Sequence, residues 1–367
     1  MKKIFKKNLK RFLLAILFFI LIFLGYLFIG EAPRAEKITW GVNFSQKHAK
    51  DLGLDWKEAF LALLDDLGAR NFKIAAHWDL IEPEDDKFYF DDLDWQVNEA
   101  EKRGAKVFLV IGMKTTRWPE CHIPDWAKNL SKEEQQKEIL EMIEKIVLRY
   151  RGRWACPHTK QTTTPKVGGE GEDAFDIFFN KDSSCYGVGA WQVENEPFFP
   201  FGVCPWVDKK FLKKEIELVK SLDPQKPIIE ADSGEGSFWI NAARFGDIPS
   251  TTMYRKVYFR QIKMYIEYPL PPVFYWRKAR IIKFFFGKKV IVGELQAEPF
   301  GSVLLYDLPL AEQEKTMNLE RFRKNIEFAT KTGFDTFYLW GSEWWFWMKT
   351  RQNRPEIWQE AKKLFNQ

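Results

Sequence analysis

Apolar positions along this chain recur with two periods. Short runs rich in Val, Ile and Phe fall at 38–44, 72–76, 106–111, 186–193, 227–231, 251–256, 289–296 and 336–340, and they predict strands. Longer stretches between them carry apolar residues three and four apart, the spacing of a helix with one buried face. Phe60, Leu63, Leu64 and Leu67 follow an Asp55 cap and end at Gly68. Leu93, Val97 and Ala100 follow Asp91 or Asp92 and end at Gly104. Ile139, Met142, Ile143, Ile146 and Val147 follow Ser131 and Glu134, which are spaced as a capping box. Further helices are expected near 206–222, 275–286 and 355–365. Strand and helix alternate throughout, which predicts an α/β fold with a parallel sheet. About 330 residues suit a single (β/α)8 TIM barrel with insertions.

A different pattern occupies the N-terminus. Lys2, Lys3, Lys6, Lys7, Lys10 and Arg11 precede an uncharged apolar run from Phe12 to Ile29. Its length, about 18 residues, reaches the lower limit for spanning a bilayer, and no small-x-small cleavage site follows. The reading is residues 1–11 as a cytoplasmic basic flank and 12–30 as an uncleaved transmembrane signal anchor. Residues 31–37 are then a linker and 38–367 the barrel. A cleaved signal peptide is the alternative. The cationic flank keeps the N-terminus in the cytoplasm and sends the barrel outside it, to the cell surface or periplasm. Seven linker residues span at most roughly 25 Å, so the base of the barrel is expected to face the bilayer and the mouth to face away. The basic, aromatic stretch 275–286 reads as an amphipathic barrel helix, or alternatively as one that touches anionic headgroups. Net charge is +5, much of it in the first eleven residues, so nothing points to nucleic acid as a partner.

The chemistry concentrates at two strand ends. Trp191-Gln192-Val193-Glu194-Asn195-Glu196-Pro197 closes the fourth strand, and Pro197 ends the pairing. Strand alternation puts Gln192, Glu194 and Glu196 on one side and Trp191, Val193 and Asn195 on the other. Gly293-Glu294 closes the seventh strand with a second acid, about a hundred residues downstream. Carboxylates at the C-terminal ends of barrel strands lie where barrel enzymes do their chemistry.

With these two sites the sequence resembles the clan-A retaining glycoside hydrolases, barrel enzymes of the cellulase, mannanase and β-galactosidase kind. The resemblance covers roughly residues 38 to 366. It implies an O-glycosyl hydrolase acting on a β-linked carbohydrate, with Glu196 as acid/base, Glu294 as nucleophile and Asn195 on the sugar's 2-hydroxyl. It further implies Tyr254 (or Tyr258) as a donor to Glu294, and Trp340 under the bound sugar. The clan has an Arg in the second strand near the nucleophile; here Lys73 stands in that strand, a departure, because Lys cannot form the bidentate fork. Glu194 is its expected partner; otherwise Lys73 snorkels to an edge. Retention requires the two carboxyls about 5–5.5 Å apart.

Beyond those positions, His77, Trp78 and Trp118 are expected to wall a sugar, since an indole offers both an apolar face and an N–H. Glu343 and Trp344 are expected to extend the subsite. Glu298 is a rival nucleophile assigned instead to the loop. An irregular stretch at about 153–184 reads as a decoration at the base, with Cys156–Cys185 able to clasp it. Cys121 and Cys204, on the opposite face, could not readily do so, and free thiols are the alternative. Four His without an H-x-H pair, and no C-x-x-C, argue against a metal site or metal-dependent hydrolase, and no cofactor is expected. A transglycosylase using the same residues and a non-catalytic glycan-binding barrel remain the competing functions.

Overall fold

The computed structural model describes residues 2–155, 178–179 and 185–366. Eight parallel strands form the barrel: β1 (Thr39–Phe44), β2 (Asn71–Ala75), β3 (Lys106–Ile111), β4 (Tyr186–Val193), β5 (Ile228–Asp232), β6 (Ile248–Met253), β7 (Ile291–Gln296) and β8 (Thr336–Trp340). Each pairs with its sequence neighbours, and β8 returns to β1, so the sheet closes. The sixth strand starts three residues before the expected 251, because Ile248 and Pro249 pair with Ile229 and Glu230 of β5. A proline followed by Ser and Thr hid that start from a hydrophobicity pattern.

Inside the barrel, Ala75, Phe108, Val110, Ala190, Ile229, Ile248, Ile291 and Tyr338 pack into one apolar column. Phe178 and Phe179 enter the same column from the base; Phe178 meets Phe108, and Phe179 meets Tyr338. The described end of the 153–184 insertion is therefore a stopper, where a surface decoration was expected. Its Trp154–Ala155 segment adds a short antiparallel strand beside β4. The rest of the insertion, including Cys156, lies outside the described residues.

Eight of the helices are α1 (Lys2–Phe28), α2 (Trp56–Asp65), α3 (Asp91–Lys102), α4 (Lys132–Tyr150), α5 (Lys209–Leu222), α6 (Pro272–Phe286), α7 (Leu319–Thr330) and α8 (Glu356–Phe365), the last seven set around the barrel; shorter helices and Ser342–Arg351 lie in the connections between them. Asp55 caps α2 by accepting from the backbone N–H groups of Lys57 and Glu58, and the Ser131–Glu134 capping box is formed at α4. Phe90, not Asp91 or Asp92, is the cap residue of α3.

Within α1, residues Asn8–Phe28 make the one helix among the described residues long and apolar enough to cross a membrane, with mean hydropathy 2.5. Its last turns lie along α6: Phe28 packs on Phe274, Tyr26 sits under the Arg277 guanidinium, and Leu27 is buried. Phe23 reaches Phe238, on the loop after β5. The helix thus leaves along the flank on the mouth side, whereas the short linker alone placed it beneath the base. An apolar face on α6 is what draws it there. At the far end of α6, Phe284 and Phe285 stay largely exposed.

Candidate active site

At the end of β4 the alternation of faces breaks. Glu194 and Glu196 both have left-handed backbones, with φ of 61° and 45°, a conformation that side chains with a Cβ seldom adopt. Glu194 consequently turns away from the barrel axis, and its carboxylate accepts the backbone N–H groups of Met113 (2.8 Å) and Lys114 (2.7 Å). Gly112 leaves room for it: a Cβ there would lie 2.6 Å from Glu194 Oε1. Asn195 takes the axial place instead. Its Oδ1 accepts from Lys73 Nζ at 3.2 Å and from Gln192 Nε2 at 3.1 Å. The expected grouping of Gln192, Glu194 and Glu196 on one face therefore does not hold.

A second irregularity aims Glu294. Simple alternation from Ile291, which faces the barrel interior, would turn Glu294 outward with Val292. The ladder shifts register between Val292 and Glu294, and that bulge turns the acid inward. Gly293 permits it, since a Cβ there would lie 2.3 Å from Ser250 Oγ. Both oxygens of Glu294 are then occupied: Lys73 Nζ donates to Oε1 at 2.8 Å and the Tyr254 hydroxyl to Oε2 at 3.0 Å. Lys73 is almost wholly buried, and its ion pair is with Glu294, not with the expected Glu194. Charge pairing decides this, because an unpaired ammonium at that depth would be prohibitively unfavourable.

Glu196 meets the same space from β4. Thr252, which pairs across the ladder with Glu294, donates its hydroxyl to Glu196 Oε1 at 3.2 Å. Burial pushes the Glu196 carboxyl up to about 8, and the negative charge of Glu294 adds to the effect. One acid is thus favoured in its protonated form while the other accepts two hydrogen bonds.

Two residues from the loop after β3 join the site without having been singled out in the sequence. Glu120, at φ 73°, accepts from Asn195 Nδ2 at 3.2 Å. Arg117, at φ 79°, pairs with Glu298 and with Glu343 Oε2 at 3.0 Å, and its guanidinium lies 4.0 Å from the centre of the Trp340 ring. Burial alone would raise the Glu298 carboxyl, but Arg117 and His48 beside it hold it down to about 2. Glu298 accordingly anchors Arg117. The charged pair flanking Trp118-Pro119 was the one sequence signal available, and position on a mouth loop was its only support. A disulfide joins Cys121 to Cys204, binding this loop to the one after β4 on the mouth face. The free-thiol alternative therefore does not hold for these two, and Cys185 is also disulfide-bonded.

The expected sugar-contacting residues separate into two groups. Glu196, Glu294, Asn195, Tyr254 and Lys73 converge on one space. Trp118 stands at the rim, 39% exposed, edge-on to Phe201. Trp340 ends β8 with one face under Arg117, and Glu343, fully buried, holds Arg117 and the Ser45 N–H. Trp78, His77 and Trp344 do not wall a cleft. Trp78 is fully buried with its indole N–H on Glu82, and Trp344 is buried with its own on Gln313. His77 lies between Ser45 Oγ and Thr115 Oγ1, and burial lowers its pKa well below the usual histidine range. Packing, with each N–H finding an internal partner, claimed these rings before the cleft could.

By sequence, the chain matches no protein-family model and no curated protein. By fold it is similar to a β-galactosidase from Rahnella sp. R3, at 11% identity and a TM-score of 0.53, covering 92% of this chain and 57% of that one. It is also similar to a GH5_18 protein from Bifidobacterium longum, solved with Manβ1-4GlcNAc, at 11% identity and a TM-score of 0.51, covering 83% and 68%. An endo-β-1,4-xylanase of glycoside hydrolase family 10 from Gloeophyllum trabeum aligns at 13% identity and a TM-score of 0.50, covering 84% of each chain. The chain thus spans little more than half the length of the β-galactosidase. These neighbours are glycoside hydrolases, and this chain shares their TIM-barrel fold. At such identities the likeness carries the fold; the chemistry rests on the site.

Proposed function

We propose that this chain is a retaining glycoside hydrolase that cleaves β-glycosidic bonds of an oligo- or polysaccharide. Glu294 attacks the anomeric carbon while Glu196 delivers its proton to the leaving glycosidic oxygen, and the carbon–oxygen bond breaks. Water then enters, gives its proton to Glu196, and displaces Glu294 from the sugar, returning both carboxyls to their starting forms. Asn195 holds a hydroxyl beside the reacting carbon; Tyr254 and Lys73 orient the nucleophile. The single observation that carries the reading is the contrast between the two acids. Glu294 has both oxygens hydrogen-bonded, one by a buried ammonium, whereas Glu196 keeps a single hydroxyl donor and a raised pKa. We further propose that α1 is a signal anchor that holds the barrel outside the cytoplasm, which its basic flank and apolar length support.

The test is kinetic. Glu294→Gln should lower kcat on aryl β-glycosides by roughly 10⁴-fold or more, the scale on which loss of a covalent catalyst is felt. Glu196→Ala should spare substrates with good leaving groups, and a 2-fluoro sugar should label Glu294. Full activity in both variants would end the proposal.

A further inference from the structure

Glu120 has no part in the reaction just described, yet it occupies an expensive position beside it. It is 4% exposed. The one side-chain hydrogen bond it has among the described residues joins Oε2 to Asn195 Nδ2. No described ammonium or guanidinium lies within ion-pair distance of it. Lys114, whose charge is the closest help, has its ammonium on the backbone carbonyls of Glu196 and Phe199, each at 2.9 Å. Burial of a carboxylate under those conditions is unfavourable without a compensating charge. Burial first, and then the neighbouring Glu294 and Glu196, push the Glu120 carboxyl up to about 8 despite Lys114.

The chain nevertheless holds Glu120 firmly where it is. Its backbone is left-handed, its N–H donates to the Arg117 carbonyl, and its carbonyl accepts from Thr115. Gly202 packs so closely that a Cβ there would fall 2.5 Å from Glu120 Cβ, and the Cys121–Cys204 disulfide follows directly. A line of contacts runs from Glu294 through Lys73 and the oxygen of Asn195 to its nitrogen and then to Glu120. With Asn195 in the role proposed above, the substituent on the ring carbon next to the anomeric carbon comes within reach of Glu120. Three carboxyls face this space; among the described residues the ammonium bonded there is Lys73, on Glu294, and burial keeps Glu120 in its neutral form until a positive charge arrives with the substrate.

We propose that Glu120 selects glycosides whose reacting ring carries a free amine beside the anomeric carbon, that is, unacetylated 2-amino-2-deoxy sugars. An ammonium there donates to Glu120 and lets it ionise, so that the two form a buried ion pair. A hydroxyl can donate but brings no charge, and an acetylated amine is both neutral and bulkier. A divalent cation is a poorer fit, because the Asn195 oxygen is already committed to Lys73 and Gln192. This inference rests on the hydrolase reading for its kinetic test and is independent of it for its binding test.

The kinetic test compares 4-nitrophenyl β-D-glucosaminide, β-D-galactosaminide, their N-acetyl forms and the parent glucoside and galactoside, on the full chain and on Glu120→Gln. The amide keeps a partner for Asn195 and cannot ionise. Wild-type kcat/KM should favour the free amine by about tenfold or more over the hydroxyl sugar of the same configuration, and the ratio should fall at least about tenfold in the variant. Equal rates in the wild type, or a preference that survives Glu120→Gln, would overturn the inference. In parallel, calorimetry measures binding of D-glucosamine, D-galactosamine, D-glucose and D-galactose to the wild-type chain. If no aryl glycoside is turned over, the hydrolase reading fails and binding alone decides: tighter amine binding upholds the inference, and matched affinities for amine and hydroxyl sugars reject it. The same arm decides if Glu120→Gln does not fold.

Discussion

Two glutamates of identical chemistry sit in opposite surroundings, and the difference is set by single atoms. Lys73 and Tyr254 occupy both oxygens of Glu294, while Glu196 has the Thr252 hydroxyl and the charge of Glu294 nearby. A carboxyl with a raised pKa holds its proton below that value and loses it above, so Glu196, in the role proposed for it, keeps its proton up to about pH 8. The alkaline limb of kcat/KM should therefore fall near pH 8, and once Glu294 is capped by a 2-fluoro sugar the Glu196 titration should move down, because the repelling charge is gone. A limb near pH 5, where an ordinary glutamate titrates, would remove the electrostatic argument. At this scale Glu196 and Glu294 can be singled out from the sequence, since an acid at a strand end is visible in one dimension, and Asn195 and Tyr254 only through the family resemblance. Glu120 and Arg117 were not visible. They reach the site through left-handed turns of a loop, and nothing in local composition signals such turns at residues that are not glycine.

Among the elements, the strands arrive as their apolar runs predict, but the side chains they deliver depend on two defects. The bulge at Gly293 turns Glu294 inward, and the left-handed backbone at Glu194 hands the axial place to Asn195. Period-two reasoning cannot anticipate either, because each is stabilised by contacts from another strand: Asn43 Nδ2 on the Gly293 carbonyl, and the Met113 and Lys114 N–H groups on Glu194. Gly112 shows how tight the second arrangement is. A methyl there meets Glu194 Oε1 at 2.6 Å, on a backbone at φ 112°. Gly112→Ala should destabilise the fold by roughly 1–3 kcal/mol in urea denaturation and lower activity together with it. A change below about 0.5 kcal/mol would mean that Glu194 can relax without disturbing Asn195.

For the molecule as a whole, closure of the barrel brings residues from the second, fourth, sixth and seventh strands to one point, and the 178–179 segment fills its base. The N-terminal helix adds an apolar surface that water does not tolerate well: its Phe, Leu and Ile side chains from Phe12 through Phe23 are 40–69% exposed. A bilayer would cover that surface. The full chain should stay with membranes through an alkaline carbonate wash, whereas deleting residues 2–22, which leaves the packed turn around Tyr26–Phe28 in place, should release a soluble barrel with unchanged turnover. A full chain that washes free would exclude the anchor.

By itself the sequence determined the alternation of strands and helices, the apolar N-terminal segment and the two acids at strand ends, because each is written in short-range periodicity and in residue type. Only tertiary structure decided that Lys73 pairs with Glu294, that Trp78, His77 and Trp344 belong to the packed interior, that Cys121 bonds Cys204, and that Glu120 faces the site. Those outcomes depend on which distant groups compete for one buried donor, one ring-sized space or one charge, and such competition exists only once the barrel has closed.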